Sequence, residues 1–188
     1  MQGATEIIRL VTLWRVLAVM LLSAALMTSA ASAASRKEAL FEALKNAPSE
    51  IEAEKIENEI WKSWFEAAPN PEIQARLEEA MSRRHAYDLA GARALLDKII
   101  TEAPDYAEGW NQRAFVLFLQ GNYEASLEDI ARALALEPRH FGALSGKAMI
   151  FMTLGRVKLG QQALREAVEI HPYLKERTLL VQPGGVDL

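Results

Sequence analysis

The chain has 188 residues, of which 51% are hydrophobic and 24% charged, with a net charge of −4 and no cysteine. This balance suits a globular protein rather than a disordered one, and its mild acidity gives no general attraction to nucleic acid. The missing thiols exclude disulfides, thiolate metal sites, cysteine nucleophiles and lipidation of an N-terminal cysteine.

At the N-terminus, Arg9 and Arg15 precede an apolar run, Val16 to Met27, and small residues ending Ala31-Ser32-Ala33. A basic flank, a short apolar core and an A-x-A site form the pattern of a secretory signal peptide, expected over residues 1–33 with cleavage after Ala33. The other reading is an uncleaved anchor over residues 7–27. Arg9, Thr12 and Arg15 interrupt that stretch, and its clean part is short for a membrane span. On the first reading the remainder is exported, which in a Gram-negative bacterium means the periplasm. On the second it is held at the inner membrane.

Residues 34–69 read as a helical pair. Leu40, Phe41 and Leu44 share one face of a first helix, which Asn46-Ala47-Pro48 breaks. Ser49 and Glu52 form a capping-box pattern. Ile51, Ile56, Ile60, Trp61, Trp64 and Phe65 then recur at helical spacing, and the helix is expected to end before Pro69. This pair is expected to cap the open face of the helical array that begins after it. Its acidic run, Glu50 to Glu59, reads as a solvated face.

Beyond Pro69 the chain repeats. Pro104, Pro138 and Pro172 stand 34 residues apart and divide residues 70–174 into units near 73–106, 107–140 and 141–174. Helices are expected over 72–86, 89–102, 105–119, 123–136, 140–154 and 157–170. Gly121 and Gly155 sit where the chain must reverse, because glycine enters the left-handed region at little cost. Tyr87 holds the corresponding place in the first unit. The prolines stop each second helix. Residues 175–188 are expected to form a short helix and then, from Gln182, a disordered tail.

The middle unit, Ala107 to His140, resembles the tetratricopeptide repeat through Trp110, Ala114, Leu117, Gly121, Tyr123, Ser126, Ala133 and Pro138. The next unit keeps Ala148, Phe151, Gly155, Gly160, Ala167 and Pro172, and the preceding one Ala80, Ala92 and Pro104. The resemblance implies an all-α fold: a right-handed α-α superhelix of about three such hairpins, with the N-terminal pair as its cap. It assigns structural roles to Trp110, Ala114, Gly121, Tyr123, Ala133, Pro138, Gly155 and Pro172.

In that family the first helix of each unit lines a concave face. The corresponding positions here are Gln74, Leu77, Met81, Arg84 and His85, then Glu108, Asn111, Phe115, Phe118 and Leu119, then Gly142, Ser145, Met149, Met152 and Thr153. Of these, Leu77, Met81, Arg84, Glu108, Asn111, Phe115, Phe118, Ser145, Met149 and Met152 are expected to hold a partner, giving a groove with an apolar, adaptable centre. The same apolar side chains could instead pack between units. Gly142, Ser145 and Gly146 leave the third unit without the cations that the family uses to clamp a C-terminal carboxylate. Arg113 is expected to pair with an acid such as Glu124 or Asp129. Arg139 and His140 read as a solvated linker with Phe141 turned inward. The alternative is an anion site at the following helix. His85, His140 and His171 are too scattered for a metal site.

No phosphate loop, nucleophile elbow or zinc-protease motif is present. The expected function is therefore that of an exported, non-catalytic, cofactor-free adaptor or scaffold that binds a partner protein, as a peptide or helix, in its concave face. The alternatives are a self-associating structural scaffold and a non-catalytic accessory subunit of an envelope enzyme complex. Neither nucleic acid nor, once the leader is removed, a membrane is expected as a partner.

Overall fold

The computed structural model describes residues 34–181; the expected signal segment and the tail from Gln182 onward lie outside the described residues. A helix over residues 34–45 (α1) is followed by α2 (Glu50–Phe65), α3 (Pro71–His85), α4 (Leu89–Glu102), α5 (Ala107–Leu119), α6 (Tyr123–Leu136), α7 (Phe141–Thr153), α8 (Val157–Ile170) and a 3₁₀ turn, Lys175–Leu179. No strand occurs among the described residues. The chain divides into two compact units after Leu40, and the second, Phe41–Leu188, holds α2 to α8 and the 3₁₀ turn.

The helix ends show why the expected boundaries fall where they do. Ser49 caps α2 by accepting from the Glu52 N–H at 3.3 Å, while the Glu52 carboxylate goes to Lys55 at 2.7 Å rather than back to the cap. Asn70 and Asp88 cap α3 and α4 in the same way at 2.9 Å, with Pro71 opening α3. The three hairpin turns are alike. Tyr87, Gly121 and Gly155 take φ of 63°, 76° and 71°. In each turn a backbone N–H reaches back five residues: Asp88 to Arg83 and Asn122 to Leu117, both 2.9 Å, and Arg156 to Phe151, 2.8 Å.

The hairpins α3–α4, α5–α6 and α7–α8 stack in a row as a helical-hairpin superhelix. Small residues allow the close approach. Ala92, Ala133 and Ala167 are wholly buried, and the Ser126 hydroxyl donates to the Ala114 carbonyl at 2.7 Å across α5–α6. One apolar cluster, including Ile73, Leu77, Leu96, Ile99 and Tyr106, fills the first hairpin and its junction with the second. Another joins Ala114, Ile130, Ala143 and Ile150, with Trp110, Phe118 and Tyr123 packed partly buried against it. Each fully buried Leu or Ile contributes about 1.5–3 kcal/mol.

The contacts of α2 reach well past an end cap. Its C-terminal end meets the first unit, with Phe65 and Ala68 against the cluster there and the Tyr106 hydroxyl donating to the Phe65 carbonyl at 2.9 Å. Just before that end it meets the start of α7. Trp64 stacks on His140 at 3.9 Å and 14°, and Trp61 sets its edge against Phe141 at 5.5 Å. A β-carbon at Gly142 would lie 2.6 Å from the Trp61 ring, so only glycine admits that ring. Glu57, inside the acidic run, turns inward to His171 at 3.1 Å. The expected solvated face therefore has this one exception, because the imidazole offers the carboxylate a donor.

Candidate functional site: a cavity on the concave face

The first helices of the three hairpins bound an open cavity of about 460 Å³, also lined by Glu57, Trp61 and Phe65 of α2 and by Leu174, Lys175 and Glu176. Of the positions expected on the concave face, Met81, Arg84, Asn111, Phe115, Phe118, Gly142, Ser145 and Met149 line it. Phe115 is the most open of its rings, 45% exposed. Phe118 turns partly back and meets Tyr123 at 5.8 Å. Ala114, Ser126, Ile130 and Ile150 form the floor.

Three expected partner-binding residues lie elsewhere. Leu77 is 1% exposed within the first hairpin's core, because its register points it at α4 rather than at the groove. Met152 packs beside Gly160 of α8. Glu108 is 1% exposed, and its carboxylate accepts from Gln112 Nε2 at 2.6 Å, from Asn111 Nδ2 at 3.2 Å and from His140 Nε2 at 2.9 Å. With its oxygens so occupied, it offers nothing to a ligand.

His140 corrects the linker reading. It is wholly buried, and its Nδ1 accepts from the Ala143 N–H at 3.2 Å, which caps α7 and leaves Nε2 as the donor to Glu108. Phe141 does turn inward and is wholly buried. The polar triplet Asn111-Gln112-Arg113 separates by function. Asn111 and Gln112 serve Glu108, while Arg113 forks onto Asp129 with two bonds of 2.7 Å and reaches Asp97 at 2.8 Å. Those carboxylates hold its pKa above the ordinary value.

Arg84 stands at the groove with its guanidinium 4.7 Å over the Phe115 ring, donating to the Gln112 amide oxygen. Burial pushes its pKa below the ordinary arginine value, against the opposing pull of Glu108. Glu57 is shifted below its ordinary 4.5, first by the hydrogen bond from His171 and, against the penalty of burial, by one from Trp61. Tyr106 is pushed up, chiefly by burial. Among the described residues, no group of three or more histidines and acids is placed to hold a metal ion, and no helix is long and apolar enough to cross a membrane.

Sequence reasoning missed Glu57, Trp61 and His171. A signal existed in the pair Gly142 and Gly146, one turn apart on α7 at the cavity. Two missing side chains on one helix face leave room for a ring from elsewhere.

A family model of the tetratricopeptide repeat matches residues 107–140. A TPR repeat-containing protein of Rhizobium etli is 37% identical over 137 residues, which span 73% of this chain and 67% of the relative. Among solved structures, the first TPR of Spaghetti (RPAP3), bound to the HSP90 peptide SRMEEVD, superposes with a TM-score of 0.55 at 17% identity, covering 57% of this chain and 85% of that one. The TPR2AB domain of yeast Sti1, in complex with pHSP90, gives 0.54 at 22% identity, covering 69% and 52%. At these identities the likeness to the solved structures is one of fold.

Proposed function

The chain belongs to the tetratricopeptide repeat family, and on that premise we propose that it is a non-catalytic adaptor holding a segment of a partner protein in its concave face. The observation that carries this is the cavity: Met81, Phe115, Phe118 and Met149 present apolar, deformable surface to an open space of about 460 Å³. The peptide-bound neighbours in fold support the same reading. A photo-crosslinker at Phe115 tests it. One protein captured there, lost on Met149→Asp and not captured from the exposed Leu136 of α6, is the expected result. Equal capture from Phe115 and Leu136 would sink the assignment.

Export is part of the proposal and rests on the N-terminal pattern. The expected product is a periplasmic chain lacking residues 1–33, so mass spectrometry of the fractionated protein decides between this and a retained anchor. A second reading, self-association, is favoured by one feature. Val157 and Leu159 of α8, in the last hairpin described, are exposed at 50% and 47%. Sedimentation showing only monomer at high concentration would remove it.

A further inference from the structure

Arg84 differs from the other arginines near it. Arg76, Arg83, Arg113 and Arg177 each reach a carboxylate within ion-pairing distance. Among the described residues Arg84 reaches none: its partners are the Gln112 amide, the Phe115 ring and, at 3.3 Å, the His85 ring nitrogen. Glu108, whose charge acts on it, is buried and already holds Gln112, Asn111 and His140. Neither of the cavity's own acids, Glu57 and Glu176, forms an ion pair with Arg84, and Glu57 is held by His171 and Trp61. A guanidinium stays charged at any ordinary pH. Half-buried and with no carboxylate in direct contact, it keeps a desolvation cost that an incoming carboxylate relieves.

The geometry points to Arg84 as the residue that sets the groove's specificity: the partner segment carries a side-chain carboxylate, seated on Arg84, one helical turn from an apolar side chain seated among Phe115, Phe118 and Met149. This rests on the groove reading and names its ligand. Because the Arg84 guanidinium touches the Phe115 ring, the partner's acid and apolar side chain must enter side by side, and on a helical segment neighbouring side chains are three or four residues apart. A side chain rather than a chain terminus is specified because Gly142, Ser145 and Gly146 supply no second cation from α7 to share a terminal carboxylate, and the charge of Lys175, the cavity's other cation, already acts on Glu57.

The test is selection of a randomised peptide library on the full chain, followed by titration of the selected peptides by fluorescence polarisation. Selected peptides should pair Glu or Asp with an apolar residue three or four positions away. Replacing that acid by its amide, or Arg84→Gln in the protein, should each weaken binding about tenfold or more, with no further loss when combined. Amidation of the peptide C-terminus should change nothing; a comparable loss there would transfer the carboxylate to the chain end and overturn the side-chain assignment. Binding that falls with Phe115→Asp but ignores both the peptide acid and Arg84 would overturn this inference and leave the groove standing. Binding indifferent to Phe115→Asp, or no selected peptide at all, would overturn the groove reading itself. Should Arg84→Gln lower stability, the peptide-side substitution carries the result, since the protein is then unaltered.

Discussion

Tyr87 occupies a left-handed backbone conformation, φ 63°, that its hairpin equivalents fill with glycine, and its side chain is 78% exposed. The ring thus repays little of the strain. Tyr87→Gly is expected to stabilise the protein by about 1 kcal/mol, read from the urea midpoint, despite glycine's larger unfolded-state entropy. Glu57 gives a pH dependence. Its folded pKa lies below the ordinary 4.5, so its contribution is complete above that value and is lost as pH falls through the lower, folded one. Glu57→Gln should therefore flatten the acid side of the stability profile below about pH 4.5, and an unchanged slope there would remove His171 as its partner. Glu108→Ala should cost about 3 kcal/mol in chemical denaturation, because it strands the His140 and Gln112 donors in a buried site. The 34-residue period put Glu108 on the concave helix, but it could not show that Asn111 and Gln112 of the next turn and His140 at the start of α7 would turn the carboxylate inward.

The elements divide between those the sequence spelled out and one it did not place. Turns, caps and prolines mark α3 to α8 locally, so their boundaries followed from residues a few positions apart. Trp110 is half-buried, donates to the Pro104 carbonyl at 2.8 Å and lies between Arg113 and Arg132, 5.3 and 5.4 Å from its ring. Trp110→Ala should cost about 3 kcal/mol, the low end for an aromatic truncation, since part of the ring stays in water. In α2, the spacing of Ile51, Ile56, Ile60, Trp61, Trp64 and Phe65 predicts a helix with one buried stripe. It does not say which surface receives that stripe. Gly142→Ala tests the answer found: a β-carbon 2.6 Å from the Trp61 ring must displace it. The expected loss is about 1–3 kcal/mol with a change in tryptophan emission. A silent substitution would mean that Trp61 does not rest on Gly142 in solution.

For the whole molecule, α2 changes how the hairpins depend on one another. A row of repeats touching only its neighbours can unfold in parts. Here one helix meets the first unit through Phe65 and the third through Trp61, Trp64 and Glu57, bracing the array across its concave side. We expect a single transition, with far- and near-ultraviolet circular dichroism superimposing, and Trp61→Ala separating them. The sequence by itself determined the repeat, its turns and the small residues at each helix crossing, because all of these depend on contacts within one period; for the concave face it supplied candidate residues. Only the tertiary structure decided that α2 and the segment after Pro172 wall that face into a cavity. It alone showed that Glu108 and Leu77 leave the face for the core and that Arg84 stays on it with no carboxylate in direct contact. Those outcomes depend on side chains brought together across three hairpins, where each group's surroundings are set by residues that no local pattern connects to it.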